Sequence, residues 1–196
     1  MSFFDTAYEG QPPWDLGRPQ RAIVDLAEAG RIVGSVLDVG CGTGEHALYL
    51  ADRGHDVVAL DLAPRAIELA RAKAVERGVR VDLRVWDALR IDELNRTFDT
   101  ALDVGLFHTL SDDERPLYAM SLHSALTPGG RAFLLCWSER NAWGFGPRRV
   151  TQMELRGTFD RGWDIRIRGS ELESRLEGAT IHAWLCELGR IEEREG

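Results

Sequence analysis

The chain has 196 residues, of which 44% are hydrophobic and 29% are charged, and its formal net charge is −8 at pH 7. This length suits one well-buried domain, and the composition is that of a soluble globular protein. The acidic balance opposes binding to the phosphate backbone of nucleic acids. We therefore expect no nucleic acid partner.

The cysteines indicate the compartment. Cys41, Cys136 and Cys186 lie far apart, without CxxC or Cys/His ligand spacing, so the sequence predicts neither a disulfide framework nor a metal site. No apolar run approaches membrane-spanning length, and the run MSFFDTAYEGQPPWD lacks the basic flank and apolar segment of a signal peptide. We expect a cytoplasmic protein without a membrane partner.

Helical and strand-like patterns alternate along most of the chain. Apolar spacing predicts helices over residues 18–30, 44–53 and 63–78. Strands are predicted at residues 36–39, 56–61, 79–88 and 98–107, with a turn leading into a fifth strand within 126–137 and a terminal hairpin of 162–169 with 179–188. Ser111 and Thr151 each begin an S/T-x-x-E capping box, which predicts a helix start.

This alternation predicts an α/β fold with a parallel sheet covered by helices on both faces. In such folds, ligands bind beyond the carboxyl ends of the strands. The longest predicted loop, residues 138–150, is rich in glycine and aromatic side chains. We expect this loop to form a lid or a wall of the substrate site.

A glycine-rich turn, DVGCGTGE, follows the first predicted strand. Its glycines are Gly40, Gly42 and Gly44, and Glu45 stands where the dinucleotide fingerprint G-x-G-x-x-G has its third glycine. A carboxylate there opposes a pyrophosphate and suits a ligand that carries sulfonium and ammonium groups, and no Lys-Ser/Thr follows to make a P-loop. Glu45 is either an acid favoured by the helix dipole or a contact to the ligand's ammonium group.

Three aspartates lie at or near the ends of adjacent predicted strands. Asp38 lies inside the turn region, where its carboxylate could orient the loop or meet an amino-acid group. Asp61 ends the second strand, where it can accept hydrogen bonds from both ribose hydroxyls. Asp87 ends the third, placed to accept from an adenine amino group with Trp86 beside the ring. Together they predict an adenosine site with carboxylates and no phosphate cradle.

These residues carry a family resemblance. VLDVGCGTGEHALYLADRGHDVVALDLAPRAIELA, VWDA and LTPGG resemble the class I S-adenosylmethionine-dependent methyltransferases over residues 1–135. The resemblance implies a Rossmann-like sheet of seven strands, mostly parallel with an antiparallel last strand, in one domain over residues 1–196. Within it, residues 1–34 would cover the cofactor, 35–137 would form the cofactor-binding core, and 138–196 would supply the substrate loop and the hairpin.

A narrower resemblance lies in PPWDLGRPQ, which is similar to the PWDxGxP segment of the thiopurine, thiol and halide methyltransferases, as are GLFHTLSDDER and GPRRVTQMEL. The implied cofactor is S-adenosyl-L-methionine, leaving as S-adenosyl-L-homocysteine. In that family the three glycines would approach the methionine part, Asp61 the ribose and Asp87 the adenine, under the segment with Trp14. The full set expected at the cofactor is Trp14, Asp38, Gly40, Cys41, Gly42, Gly44, Asp61, Leu62, Trp86, Asp87, Ala88 and Asp103.

The expected reaction is methyl transfer to a small molecule. A thiol, a thiopurine-like compound or a halide is the first expectation, and the oxygen or nitrogen of a small aromatic heterocycle is the alternative. Trp143 and Phe145 are candidate substrate residues, with ordinary lid packing as the other interpretation. Arg148 is a candidate clamp for the substrate or half of a solvated arginine pair.

His108, in GLFHTL, follows the fourth predicted strand and is the candidate catalytic residue, since its ordinary pKa suits proton transfer. A structural histidine bound to a backbone carbonyl explains the same position. A non-catalytic cofactor-binding module also remains open, while Glu45 and the lack of a second catalytic domain disfavour an NAD(P) oxidoreductase. The sequence is compatible with a monomer and with a dimer.

Overall fold

A computed structural model describes residues 3–142, 144, 146–175 and 181–191 of the chain. The strands are β1 Val36–Val39, β2 Val57–Asp61, β3 Asp82–Val85, β4 Phe98–Val104, β5 Leu126–Trp137, β6 Trp163–Leu172 and β7 Ile181–Arg190. The helices are α1 Phe3–Ala7, α2 Arg21–Glu28, α3 Glu45–Asp52, α4 Pro64–Arg77, α5 Glu114–Ser124 and α6 Gln152–Thr158.

The strands pair in the order β3-β2-β1-β4-β5-β7-β6. The first five strands in this order run parallel to one another, whereas β7 pairs antiparallel with both β5 and β6. The predicted fold class, with its antiparallel last strand and terminal hairpin, is confirmed. The strand order reverses between β1 and β4, and such a switch point leaves a crevice at the carboxyl ends of the strands.

Strand side chains alternate between two hydrophobic cores on opposite faces of the sheet. In β1, Leu37 and Val39 pack in one core and Val36 packs in the other. Helices α5 and α6 cover the first core, and α2, α3 and α4 cover the second. Burial on both faces explains why the central strands are continuous apolar runs in the sequence.

Several boundaries differ from the prediction for identifiable reasons. The turn expected at the start of residues 126–137 lies inside β5 as a local irregularity, since Leu126 pairs with Phe98, the register shifts before Arg131 pairs with Thr100, and Gly129 between them has a φ of 75°. Strand β4 ends at Val104 because Gly105 follows with a φ of 93°. The sequence pattern predicts neither α1 nor the 3₁₀ segments Ala88–Leu94 and Phe107–Thr109.

The reciprocal hydrogen bonds of both predicted capping boxes are present, although Thr151 is the N-cap of α6 whereas α5 has its N-cap at Asp113, two residues after Ser111. The hydroxyl of Thr151 accepts from the backbone N–H of Glu154 at 3.1 Å, and the Glu154 carboxylate accepts from the Thr151 N–H at 2.7 Å. Ser111 and Glu114 make the same reciprocal pair at 3.3 and 2.8 Å, ahead of α5. Within the described ranges, no helix has both the length and the apolarity to cross a bilayer.

Candidate functional site

The glycine turn, residues 40–44, joins β1 to α3 at the strand-order switch. Gly40 and Gly44 have φ values of 69° and 82°, a region that disfavours side chains. A Cβ at Gly44 would lie 3.0 Å from the Cβ of Ala70 in α4, and one at Gly40 would lie 2.9 Å from the Cβ of Leu106. The turn is therefore packed tightly against its neighbours on two sides.

Asp61 holds this turn from the end of β2. One of its oxygens accepts a hydrogen bond from the Gly42 N–H and the other from the Ala63 N–H, both at 2.8 Å. Burial raises the pKa of Asp61, although these two hydrogen bonds act to lower it. Each carboxylate oxygen has further lone-pair capacity, so the group can still accept from a pair of ligand hydroxyls.

Asp38, in β1, is 1% exposed, and its Oδ2 atom has no hydrogen-bond partner among the described residues. Burial raises the pKa of Asp38 to about 7, against a hydrogen bond from the Ala47 N–H, and the nearby carboxylates of Asp61 and Asp103 raise it further. An unpartnered buried carboxylate oxygen is costly unless a donor meets it. The chemistry of this position suits a cationic donor such as an ammonium group.

The expected cofactor residue Asp103 has a different environment. Its carboxylate accepts from the Tyr118 hydroxyl at 2.8 Å and from the N–H groups of Leu106 and Phe107 at 2.9 and 3.2 Å. Burial raises its pKa to about 6 despite these three donors. The side chain therefore fixes the backbone after β4, and direct contact between Asp103 and a cofactor stays a prediction.

A hollow of about 290 Å³ lies beside the ends of β2 and β3. Its lining residues are Leu62, Val85, Trp86, Asp87, Arg90 and Glu93. Asp87 accepts from the Leu89 N–H at 2.9 Å, and the Trp86 indole N–H donates to the Arg90 carbonyl at 2.8 Å. The structure thus brings three expected residues, Leu62, Trp86 and Asp87, to one hollow, with Ala88 next in the chain.

Residues 4–17, here called the covering segment, lie against the glycine turn. The Tyr8 hydroxyl is so close to Gly42 that a Cβ there would be 2.8 Å from its oxygen. The Trp14 indole N–H donates to that hydroxyl at 3.1 Å, and the Asp15 carboxylate accepts from the Thr43 hydroxyl at 3.0 Å. The structure therefore places Trp14 over the turn through Tyr8, a residue that sequence reasoning missed.

Glu45 points away from the turn toward α4. Its carboxylate accepts from Lys73 at 2.7 Å and from both terminal nitrogens of Arg77 at 2.8 and 2.9 Å. Burial acts to raise its pKa, but the two cations outweigh burial and lower it. The predicted repulsion of a pyrophosphate by a bare Glu45 carboxylate is therefore wrong, since the carboxylate is neutralised, and its oxygens are occupied by these side chains rather than aimed at a ligand.

His108 is buried beside the end of β5. Its Nδ1 accepts from the backbone N–H of Trp137 at 3.2 Å, so in the neutral ring Nε2 carries the proton. Burial, assisted by the cation of Arg115, lowers the pKa of His108 to about 3. The expected structural alternative invoked a carbonyl, whereas the partner is an N–H. A catalytic role for His108 stays a prediction. In the neutral ring, its Nε2 atom could serve such a role only as a hydrogen-bond donor.

The loop over residues 138–150 is closed at its base by a bridge between Ser138 and Val150. Gly146 lies against the Trp137 ring, where a Cβ would be 2.5 Å from the ring edge. Arg148 pairs with Asp112 at 2.6 Å and Glu154 at 2.5 Å, so its guanidinium is engaged at the surface. Its substrate role stays a prediction, and the other two candidate residues, Trp143 and Phe145, lie outside the described residues.

The donor and acceptor set around the turn favours a cationic nucleoside. The carboxylates of Asp38 and Asp61 lie at the turn and that of Asp87 lines the hollow beside it, while the nearby cations Lys73 and Arg77 are paired with Glu45. Across the part of the chain that the structure describes, no group of three His, Cys, Asp or Glu side chains could hold a metal ion.

Comparison with known proteins gives consistent matches. A family described as a methyltransferase domain matches residues 36–130. A 2-heptyl-1-hydroxyquinolin-4(1H)-one methyltransferase of Mycobacteroides abscessus is 37% identical over 179 residues, which are 84% of this chain and 78% of that protein. A probable thiol methyltransferase of Arabidopsis thaliana is 31% identical over 150 residues, 74% of this chain and 65% of that protein.

A solved structure also superimposes on nearly the whole chain. It is described as "Conversion of a Disulfide Bond into a Thioacetal Group during Echinomycin Biosynthesis". It superimposes with a TM-score of 0.88 at 37% identity and covers 98% of this chain and 92% of its own.

Proposed function

The chain belongs to the class I S-adenosylmethionine-dependent methyltransferases, and on that premise we propose that it methylates an acidic heteroatom, sulfur or ring-bound oxygen, of a small molecule. Its cofactor is S-adenosyl-L-methionine. Two relatives, each 37% identical to this chain, support this acceptor class. The name of one specifies a hydroxyquinolinone, which offers a ring oxygen, and the description of the other specifies a disulfide and a thioacetal, which contain sulfur. The narrower resemblance to the thiol methyltransferases is supported by the Arabidopsis relative.

The residues of the site fit the cofactor as a cationic amino-acid nucleoside. We propose that Asp61 accepts from the ribose hydroxyls and that the hollow at Trp86 and Asp87 takes the adenine. Asp38, with its unpartnered buried oxygen, would meet the ammonium group directly or through a water. The glycine turn follows Asp38 and is held by Asp61, and its glycines would let the backbone approach the methionine part closely.

The cofactor supplies a methyl group bound to a positively charged sulfonium. The neutral thioether of S-adenosylhomocysteine is a good leaving group. The protein's contribution is then to align the acceptor and to exclude water, and good alignment is worth about 7–11 kcal/mol. The covering segment closes the turn through Tyr8 and Asp15. Burial and the neighbouring carboxylate of Asp61 raise the pKa of Tyr8, so its phenol stays protonated and can donate a hydrogen bond.

The observation that carries the acceptor class is the hydrogen bond that the Trp137 N–H donates to the Nδ1 atom of His108. Its Nδ1 is occupied by the Trp137 N–H and its Nε2 bears the proton, so the neutral ring can donate a hydrogen bond but has no free lone pair for a substrate proton. We infer that His108 takes no proton from an acceptor, which then has to reach its nucleophilic form without this ring. Thiols and hydroxylated heterocycles do so near neutral pH, whereas aliphatic alcohols do not.

The test is a methyl-transfer assay with radiolabelled cofactor across aryl thiols, N-hydroxyquinolinones, phenols, iodide and heteroaromatic amines. We expect turnover with thiols or ring hydroxyls, at rates that rise with the ionised fraction of the acceptor. Turnover confined to amines would contradict the acceptor class. Binding of S-adenosylhomocysteine without any turnover in a wider screen would favour the non-catalytic module.

A further inference from the structure

A chain of polar contacts runs from α4 through the glycine turn to the covering segment. The Lys73 ammonium donates to the Thr43 hydroxyl at 2.6 Å, and that hydroxyl donates to the Asp15 carboxylate at 3.0 Å. Lys73 and Asp15 are themselves 3.7 Å apart, within ion-pair distance. Three separate parts of the sequence thus meet at one hydroxyl group.

The direction of these hydrogen bonds is fixed by the groups at the two ends. An ammonium can only donate and a carboxylate can only accept, so the Thr43 hydroxyl must accept from Lys73 and donate to Asp15. Hydrogen bonds with an ionised partner are about twice as strong as neutral ones. Thr43 is 4% exposed, so water competes little for its hydroxyl.

Glu45 anchors the Lys73 end of the chain. It lies at the start of α3, one residue after the glycine turn, and binds Lys73 and Arg77 together. Arg77 shares this carboxylate, and both of its terminal nitrogens bind Glu45 rather than Thr43 or Asp15. The two cations lie one helical turn apart in α4, and Lys73 is the one that reaches Thr43 and Asp15, beside the apolar packing of Tyr8 on Ala66 of the same helix.

We propose that Lys73 is a positioning residue that fastens the covering segment onto the glycine turn and thereby sets the affinity for the cofactor without touching it. Release of Asp15 would remove a support of the segment that carries Trp14 and Tyr8, and Tyr8 lies directly over Gly42. The cofactor would then dissociate faster from an open turn. The inference rests on the cofactor, not on the acceptor class proposed above.

The experiment compares Lys73→Met with Arg77→Met, which removes the other cation from the same carboxylate. Isothermal calorimetry with S-adenosylhomocysteine needs no acceptor, so it separates this inference from the question of substrate. We expect Lys73→Met to raise the dissociation constant at least tenfold, Arg77→Met to raise it less than threefold, and Lys73→Arg to recover part of the loss. Hydrogen exchange of residues 4–17 should accelerate in Lys73→Met alone.

Turnover supplies a further readout once an acceptor is known, because the KM for the cofactor should rise in Lys73→Met while kcat at saturation is retained. Equal effects of Lys73→Met and Arg77→Met on binding and exchange would overturn the proposal, since both would then act only through Glu45. If Lys73→Met does not fold, Thr43→Val breaks the same chain at its middle. Unchanged binding and exchange in a folded Thr43→Val would likewise overturn it.

Discussion

The carboxylate of Asp61 accepts a hydrogen bond from the backbone N–H of Gly42, and this 2.8 Å contact joins the end of β2 to the middle of the glycine turn. Its other oxygen caps the chain entering α4 at Ala63. One side chain therefore orients two backbone segments of the site and still has lone pairs for a ligand. The same group serves the architecture of the turn and, as we propose, the recognition of ribose.

Asp61→Ala should weaken binding of S-adenosylhomocysteine at least about tenfold, since a hydrogen bond to a charged group is worth about 1.5–3 kcal/mol and a factor of ten is about 1.4 kcal/mol. Calorimetry measures the change. Asp82→Ala is the matched control, because Asp82 is a carboxylate on the neighbouring β3 that pairs with Arg84 at the surface. Equal affinity of Asp61→Ala and the control would contradict the role of Asp61.

The sequence predicts the sheet well because its strands are buried on both faces and appear as short apolar runs closed by glycine or aspartate. The bounds of β1 agree to the residue, and those of β2 differ by one. Local pattern fails where pairing decides the structure. The residues TPGG indicate a turn, and they form an irregularity within β5 whose place in the strand depends on the pairing of Leu126 and Arg131 with β4.

The glycine turn shows what spacing can and cannot predict. The spacing of the three glycines correctly distinguishes this turn from the dinucleotide fingerprint. A glycine is needed at position 44 because a Cβ there would meet Ala70 of α4. The partners of Glu45 were not predictable, because Lys73 and Arg77 follow it by 28 and 32 residues. The sequence shows that Glu45 carries a negative charge but not that Lys73 and Arg77 neutralise this charge in the folded chain.

The covering segment was predicted to cover the site only through a family resemblance. Its contacts depend on Tyr8 and Asp15, and nothing in a short polar stretch indicates which of its side chains will meet a turn far along the chain. His108 was singled out from its position after β4, but its tautomer depends on the Trp137 N–H in another strand. Long-range hydrogen bonds therefore decide the chemistry that the sequence left open.

The pH profile of turnover should follow the acceptor rather than His108. Because burial lowers the pKa of His108 to about 3, the imidazole stays neutral above pH 5. We expect kcat/KM to rise as the pH increases through the pKa of the acceptor. Two acceptors of different acidity should therefore give pH profiles with two different midpoints. His108→Gln should reduce kcat less than about tenfold through one lost hydrogen bond, whereas loss of a general base costs about 10²–10⁴-fold.

A midpoint near pH 6.5 that is the same for both acceptors, and that disappears in His108→Gln, would instead identify His108 as the base. Thermal unfolding of the variant without ligands serves as the control for folding. It is needed because His108 is 9% exposed and packs at the edge of the Trp137 ring.

Glu154→Gln should destabilise the protein by about 3–5 kcal/mol, since it leaves the buried cation of Arg115 without its close partner. Arg115 is 3% exposed, pairs with Glu154 at 3.1 Å and reaches Asp112 only at 3.9 Å. Asp112→Asn, which removes an exposed carboxylate from the same network, should cost less than about 1 kcal/mol. Urea unfolding measures both, and equal losses would contradict the account.

The same carboxylate predicts an acid limit. Burial acts to raise the pKa of Glu154, but hydrogen bonds from Thr151, Arg148 and Arg115 outweigh it and lower the pKa to about 2. A carboxyl group with a depressed pKa in the folded state stabilises the protein above its ordinary pKa and loses that effect as the pH falls toward 2. The difference in unfolding free energy between wild type and Glu154→Gln should therefore shrink on acidification.

Asp38→Asn should stabilise the protein without ligand, and more so at pH 8 than at pH 5. Burial raises the pKa of Asp38 to about 7, so between its ordinary pKa and pH 7 the folded state holds a proton that the unfolded state releases. The Asp38 side chain therefore makes the folded state less stable as the pH rises through that window. The neutral amide of Asp38→Asn has no such pH dependence. Asp103, whose pKa is raised to about 6, is coupled to Asp38, so removal of the Asp38 charge also relieves repulsion on Asp103 and adds to the gain at the higher pH.

Cofactor binding should change in the opposite direction. If the unpartnered Oδ2 of Asp38 meets the ammonium group, the amide of Asp38→Asn removes the charge and offers that cation a neutral partner instead. We expect the dissociation constant for S-adenosylhomocysteine at pH 8 to rise about tenfold, while the melting temperature without ligand rises. A variant that gains stability and binds as tightly as wild type would show that the buried carboxylate does not serve the cofactor. A stability gain that is the same at pH 5 and pH 8 would show that Asp38 does not titrate as described.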